Sequence, residues 1–442
     1  MRHTLAAVVT LKRQTGQGPF RRRWLSLMFL SVLAVRMTAV SACGDEPPPA
    51  TNKSARVAPD FEPHLPLLFL EAKAPIVSEQ KVACTVRMDF PQGVERGPTN
   101  GWTGVVRVHG ASSQGFPKKS FGLTLNTPAQ PPGLRASAHW VLNAAFIDRS
   151  LMRHKLSYDL FRSLSAPGAE RFAVGSRFVE VYLNGSYHGA YLLMERMDRP
   201  LLRLRAFDSN QVAHACIYKA VDHAANFGQP GHAGYEQREP DATAKTYWQP
   251  LDEFDQFVSS SPAGEFFHAQ TGIASRLDLD NAVDFHLLVL LTSNMDGITK
   301  NFLLARDGPA AGAAPPRFFF APWDYDATFG RNWDATRIAP TAWLSNHLFD
   351  RLMGDRAYRE RFSARWRRWR EREFFVKTIH EQIDANARTL GEAAHRNATR
   401  WRANEGSYPD KLTFAEDVAQ MKSWVTARAQ WLDDEIARRN GR

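Results

Sequence analysis

Residues 177–195 read RFVEVYLNGSYHGAYLLME. The flanking runs are rich in β-branched and aromatic residues. The Asn184-Gly185 pair between them is a strong signal for a tight hairpin, whose central residues need positive φ. Toward the N-terminus, the short runs LLFLEA, VACTVRMDF, WTGVVRVHG and SFGLTLN begin at Leu67 and are separated by Pro and Gly turns, the pattern of an antiparallel sheet. Residues 148–165 (DRSLMRHKLSYDLFRSLS) break that pattern. Leu151, Met152, Leu156, Leu160, Phe161 and Leu164 share a helical face, with Asp148 placed as the N-cap. Toward the C-terminus, residues 222–250 are rich in Gly, Pro, His and charge and read as a long loop. LDEFDQFVSS and LDNAVDFHLLVLLTSN (279–294) read as helices, the second apolar enough to be buried. NFLLARD (301–307) and RFFFAPWDY (317–325) read as strands, and amphipathic helical patterns dominate from Trp343 onward. The expected fold is α+β in two lobes, about 61–200 β-rich and about 201–442 mainly helical, forming one domain over 61–442.

With 442 residues, 44% hydrophobic and 23% charged, the composition excludes disorder, collagen-like repeat and coiled coil for the whole chain. The net charge of +10 is unevenly placed. Residues 1–42 hold seven basic and no acidic residues, and 351–442 hold 20 basic against 14 acidic, so 43–350 is slightly negative. The leading segment has the layout of an export signal: Arg21 to Arg23, then WLSLMFLSVLAV (24–35), then VSAC (40–43). That apolar run is too short to span a bilayer as a stable helix. VSAC resembles the lipobox of bacterial lipoproteins, which implies a lipid anchor at Cys43 and a cell-envelope location, lipid-anchored or secreted; residues 43–60, polar and Pro-rich, read as a tether. Uncleaved anchoring is the alternative. A chain whose charge excess lies in an export leader and on C-terminal helices where Arg supports packing gives no reason to expect nucleic acid as a partner. Cys84 and Cys216 are either a disulfide pair or two buried thiols.

Two constellations carry chemistry. In NMDGITKN (294–301) and PWDYD (322–326), Asp296 and Asn301 have the D-x-x-x-x-N spacing of a kinase catalytic loop, and Asp324 and Asp326 arrive one hairpin later. Phosphoryl transfer needs one carboxylate at the attacking hydroxyl and others holding hard divalent cations against phosphate oxygens. Asp as helix cap and Asn as turn former is the structural alternative. In VRVHGASSQGFPKKSFGLTL (106–125), a small-residue turn with Ser112 and Ser113 leads to Lys118 and Lys119. Backbone amides there would cradle phosphate and a lysine would neutralise it; a plain hairpin with solvated lysines is the alternative.

The ordered series H-G-A-S-S…P-K-K-S-F, L-N-A…D-R-S-L-M-R, V-Y-L-N-G-S-Y-H-G-A-Y-L-L-M-E, N-M-D…N and P-W-D-Y-D-A-T-F-G resembles the CotH (spore-coat protein H) kinase family over roughly residues 65–440. The resemblance implies an atypical protein-kinase-like fold and phosphoryl transfer from ATP to protein Ser/Thr with Mg²⁺ or Mn²⁺. By motif it implies Asp296 as catalytic residue, Asn301, Asp324 and Asp326 as metal ligands, Lys118 or Lys119 facing the phosphates, and Glu195 near the nucleotide or lobe connection. Where many members read R-G-N-S-S, this chain has His109-Gly110-Ala111-Ser112-Ser113, without the Arg and the Asn. That departure supports a second reading, a non-catalytic surface lipoprotein using the fold for binding or adhesion. A glycoside hydrolase using paired acids is a third. Arg149 and Arg153 either pair with a site acid or lie on a solvated helix face. No histidine has metal-site spacing. RFSARWRRWRERE (361–373) repeats its aromatics at helical spacing and reads as core packing with a charged outer face.

Overall fold

The strand-like runs around the 177–195 hairpin close on themselves. A computed structural model describes residues 59–91, 97, 101–310, 312, 314–401 and 411–441. In it β1 (Leu67–Ala72), β2 (Val82–Asp89), β3 (Trp102–His109), β4 (Ser120–Ala129), β5 (Ser137–Asn143), β6 (Ser176–Leu183) and β7 (Ser186–Glu195) form a barrel in the order β1-β2-β3-β4-β5-β7-β6. Antiparallel pairing runs around it until β1 lies parallel to β6 and closes the ring. Closure removes the exposed edges that an open sheet would present. The β6–β7 turn has the anticipated geometry, with Asn184 at φ 48° and Gly185 at φ 77°.

Burial alternates along β2, placing Val82, Cys84, Val86 and Met88 inside with Val106, Leu123, Trp140 and Leu142. β6 and β7 are instead apolar on both faces. Val179, Val181 and Tyr191 point into the barrel, while Phe178, Leu192 and Met194 pack outward with α1 (Arg153–Ser163) into a second core.

That second core surrounds a four-stranded sheet, β8 (Cys216–Ala220), β9 (Tyr235–Glu239), β10 (Phe302–Arg306) and β11 (Phe319–Pro322), ordered β11-β10-β8-β9. Around it lie α2 (Gln249–Ser260), α3 (Ala263–Phe266), α4 (Leu279–Thr292), α5 (His347–Gly354), α6 (Arg356–Arg370), α7 (Val376–Trp401) and α8 (Phe414–Asn440). Helix α4 is buried from Asn281 to Thr292, and the side chain of Asp278 caps it by accepting from the Asp280 and Asn281 amides. On α6, Phe362, Trp366 and Trp369 are buried, in agreement with the packing reading of that Arg/Trp stretch.

The α+β class holds, but a two-lobed kinase-like division does not stand out. The sheet β11-β10-β8-β9 lies in the part expected to be mainly helical, and one continuous core joins α1, β6 and β7 to α4 and α8. The segment expected as one long loop, 222–250, contains β9 and the start of α2. Cys84 and Cys216 are buried free thiols, and burial pushes each up to about 11. The export leader, Cys43 and the tether through residue 58 lie outside the described residues.

One buried cation joins these parts. Arg153, 1% exposed, gives Nη1 to Asp148 Oδ1 at 2.5 Å and to Asp417 Oδ2 at 2.5 Å, Nη2 to Asp417 Oδ1 at 2.7 Å, and Nε to the Thr328 carbonyl at 2.9 Å. It thereby ties the entry to α1, the segment after β11 and the first turn of α8. Burial alone would lower the Arg153 pKa, but the two carboxylates outweigh it and raise it. A reciprocal capping box between Thr413 and Glu416 fixes the start of α8 that brings Asp417 there. The solvated alternative for Arg153 is therefore corrected, and Asp148 is not the N-cap of α1: that position is Met152. The Asp148 carboxylate instead accepts from the Arg153 and Ser150 amides, at 2.8 and 3.0 Å, across a turn in which Leu151 has φ 59°.

Two stability predictions follow from these buried charges. Arg153→Ala leaves two buried carboxylates without their cation and should lower the unfolding free energy by about 3–5 kcal/mol in urea melts; a loss below about 1 kcal/mol would contradict the keystone role. Asp255 on α2 is 3% exposed, its Oδ1 has no hydrogen-bond partner, and burial, assisted by Asp252, pushes its pKa up to about 8. The native state then holds a proton that the unfolded chain releases above the usual carboxylate value, so the contribution of Asp255 to stability is full below about pH 4 and is lost as pH rises to about 8. Asp255→Asn should flatten that slope and raise the urea midpoint at pH 8; an unchanged slope would show that Asp255 is not its source.

Candidate functional site

The end of α4 and the end of β11 are stapled together. Ser293 turns out of the helix at φ 51°, and Asn294 then reaches both ways. Its Oδ1 accepts from the Gly297 amide at 2.9 Å, and its Nδ2 donates to the Asp324 carbonyl at 3.1 Å. Farther along, the Asn301 amide donates to the Ala220 carbonyl of β8 at 3.0 Å, and the Asn301 carbonyl accepts from the Trp323 amide at 3.1 Å. Loop 294–301 is therefore fixed to the 323–324 segment at two points.

Three successive amides fix the acidic segment. Trp323 N–H goes to Asn301, Asp324 N–H to the Tyr158 hydroxyl at 3.0 Å, and Tyr325 N–H to His154 Nδ1 at 3.0 Å. Asn301 and Asp324 are held at φ 58° and 60°, in the left-handed region that few non-glycine residues occupy. Strain of this kind persists where surrounding structure over-determines it, and it gathers at binding and catalytic sites.

One ligand atom each from His154, Asp324 and Asp326 fall within 4.8 Å of one another. The two carboxylates suit a hard divalent cation. Asp326 is half-buried, and loss of hydration together with the charges of Asp324 and Asp148 pushes its pKa well up; a bound cation would reverse that. His154 fits a different role. Its Nδ1 already accepts the Tyr325 amide, so the neutral ring carries its proton on Nε2, which faces Asp324 Oδ1 at 3.8 Å. The Asn143 Nδ2 group, 3.4 Å from Nε2, is then a contact rather than a hydrogen bond. Burial outweighs the nearby Asp324 and Asp148 charges and lowers the His154 pKa, which keeps the ring neutral. A protonated Nε2 turns its donor toward the carboxylate at 3.8 Å, beyond hydrogen-bond length, and does not ligate a metal.

Asp296 lies on the exposed side of the staple. Its side chain is 37% exposed, with Lys300 Nζ at 3.0 Å from Oδ2 and His223 Nε2 at 3.7 Å from Oδ1. Asp296 and Asn301 on one loop and Asp324 and Asp326 on the other are thus joined through backbone and Asn294.

The residues expected to meet phosphate are placed otherwise. Lys118 is 1% exposed, and its ammonium donates to the Ala144 carbonyl at 2.7 Å, to Asn397 Oδ1 of α7 at 2.9 Å and to the Ala190 carbonyl. Burial holds its pKa well below the lysine range. It presents no charge to a ligand, because the barrel wall and α7 enclose it. Lys119 donates to the Gln114 carbonyl and pins the turn rather than extending from it. Ser112 and Ser113 form a short 3-10 turn (Ser112–Gly115) with no buried residue. Glu195 is 5% exposed, and its two oxygens accept from the Arg135 and Gly175 amides at 2.9 and 2.7 Å, so it joins barrel segments.

Asn294, Tyr158 and His154 are the members that reading the sequence missed. Asn294 stood inside the quoted NMDG stretch and His154 directly after D-R-S-L-M-R, so position in the motifs was the available signal. Asn294→Ala removes both hydrogen bonds of the staple and should speed amide hydrogen exchange at Gly297 while costing about 1–3 kcal/mol. Unchanged protection at Gly297 would contradict the staple.

A sequence profile described as CotH kinase protein matches residues 106–432. The inner spore coat protein H of Bacillus subtilis (strain 168) is 30% identical over 246 residues, 53% of this chain and 61% of that protein. The chain thus spans less than two thirds of that relative's length. With the profile covering most of the chain, including both stapled loops, the protein belongs to the CotH kinase protein family.

Proposed function

We propose that the chain transfers the terminal phosphoryl group of ATP to Ser or Thr hydroxyls of a protein, as an atypical kinase. The observation that carries this reading is the staple, which sets an exposed carboxylate, Asp296, on one side and the paired acids Asp324 and Asp326 on the other. In this reading Asp324 and Asp326, with Asn301, would hold Mg²⁺ or Mn²⁺, which when bound supplies charge neutralisation for phosphate oxygens. Asp296, reachable from solvent, orients the incoming hydroxyl and takes its proton. His154 holds the Tyr325 amide next to Asp324, and Lys300 adds positive charge beside Asp296 where phosphate approaches. The proposal extends to location: leader 1–42 directs export and Cys43 anchors the chain by lipid in the cell envelope, in keeping with a relative named for the spore coat.

The second reading, a non-catalytic binding or adhesion module, draws on the absence of the Arg and Asn from the 109–113 turn and on the enclosed Lys118.

Metal-dependent phosphorylation, measured with radiolabelled ATP, separates the two. Asp296→Asn and Asp324→Asn should each lower the rate at least a hundredfold with an unfolding midpoint near that of the parent. No incorporation by the parent with either metal would favour the binding module.

A further inference from the structure

A group of cations lies beside the acidic site, where the barrel meets the second sheet. Arg107 and His109 stand two residues apart on the same face of β3. Gly122, paired opposite Arg107 on β4, leaves room for both: a Cβ there would be 3.6 Å from His109 Nδ1 and 4.0 Å from Arg107 Cγ. Arg196 follows β7. Lys219 on β8 and Arg238 on β9 come from the second sheet. Lys219 Nζ lies 4.9 Å from the ring centroid of Trp323, the neighbour of Asp324.

These charges bear on one another. Burial, then Lys219, Arg107, Arg196 and Arg238, hold His109 down to about 4. Burial, then Arg238, lower both Arg196 and Lys219. Among the described residues neither Arg107, Arg196 nor Lys219 forms an ion pair. Of the nearby acids, Asp198 is held by Arg135 at 2.8 Å, Glu236 lies opposite Lys219 across the β8–β9 pairing and pairs with Arg238, and Asp324 favours the charged form of Lys219. The four cations outnumber the two acids left to them, Glu236 and Asp324, and like charges gathered at one rim focus a positive field on the space they surround.

We propose that Arg107, Arg196, Lys219 and Arg238 form a cradle for the polyphosphate chain of a nucleotide, with Lys219 setting its end beside Asp324. This takes over the role expected of Lys118 and Lys119. The ligand class rests on the phosphotransfer reading, but the anion site itself does not require transfer to occur. A guanidinium binds phosphate oxygens in pairs, and the half-buried ammonium of Lys219 acts as a point charge next to the metal-binding carboxylates.

The test is a calorimetric titration of the full chain with sodium tripolyphosphate in excess EDTA, followed by displacement with ATP. The parent should bind saturably, ATP should displace the probe, and Arg196→Gln, Arg238→Gln and Lys219→Gln should each weaken binding at least fivefold while keeping the parent's unfolding midpoint. Lys377→Gln, which removes an exposed charge on α7 that is paired with Glu381 within its own helix, should leave binding unchanged. No binding by the parent, parent-like affinity in the three cradle variants, or equal weakening in Lys377→Gln would overturn the cradle. Failure of ATP to displace the probe would overturn its assignment to a nucleotide. Asp324→Asn should still bind tripolyphosphate while losing transfer, so failure of the phosphotransfer reading and failure of the cradle give different results.

Discussion

The architecture depends on the buried ion group of Arg153 with Asp148 and Asp417. Removing three charges from water is costly, and the arrangement is stable only because the hydrogen bonds are short and both carboxylates are met, Asp417 by two guanidinium nitrogens. Distant parts of the chain converge on this point. Residue 148 leaves the barrel, 328 follows the acidic segment, and 417 opens the last helix. His154 is the next residue after Arg153 and Tyr158 lies one turn farther on α1, so the helix held by the ion group presents both partners of the 324–325 backbone. Rigidity at the buried group is transmitted to the carboxylates over a few bonds.

Other buried acids repeat the device at each junction. Asp284 on α4, fully buried, meets Arg171, Arg365 and the Trp369 indole; Glu180 on β6, also fully buried, meets Arg396 of α7 and the Tyr187 hydroxyl. Arginines that sequence reading leaves as surface charge serve as links between layers. The planar guanidinium suits this role because it satisfies two acceptors at once and remains charged when buried.

What the sequence made legible was local. The hairpin at 184–185 announces itself because only a few residues tolerate its dihedrals, and α4 because nine of its fourteen residues are apolar, five of them consecutive from Leu287 to Leu291. The acidic loops were legible as motifs. The parallel β1–β6 contact was not, because it joins residues more than 100 positions apart and has no turn to mark it. β9, Tyr-Glu-Gln-Arg-Glu, carries no strand-like alternation of apolar residues and forms by pairing with β8. Lys118 was misread for a related reason. Nothing adjacent to it in sequence shows that Asn397, 279 residues away, will enclose its ammonium. His154 was passed over because histidines were judged by spacing to one another, whereas its partners are a carboxylate and an amide from another loop.

The proposed cation site of Asp324 and Asp326 takes its shape from the folded backbone around them. Binding of Mn²⁺ to the full chain without nucleotide, followed by the loss of its free-ion electron paramagnetic resonance signal, tests this most directly. The expected result is one saturable site, lost in Asp324→Asn and in Asp326→Asn and retained in Asp296→Asn. Parent-like Mn²⁺ binding in both Asp324→Asn and Asp326→Asn would contradict the account.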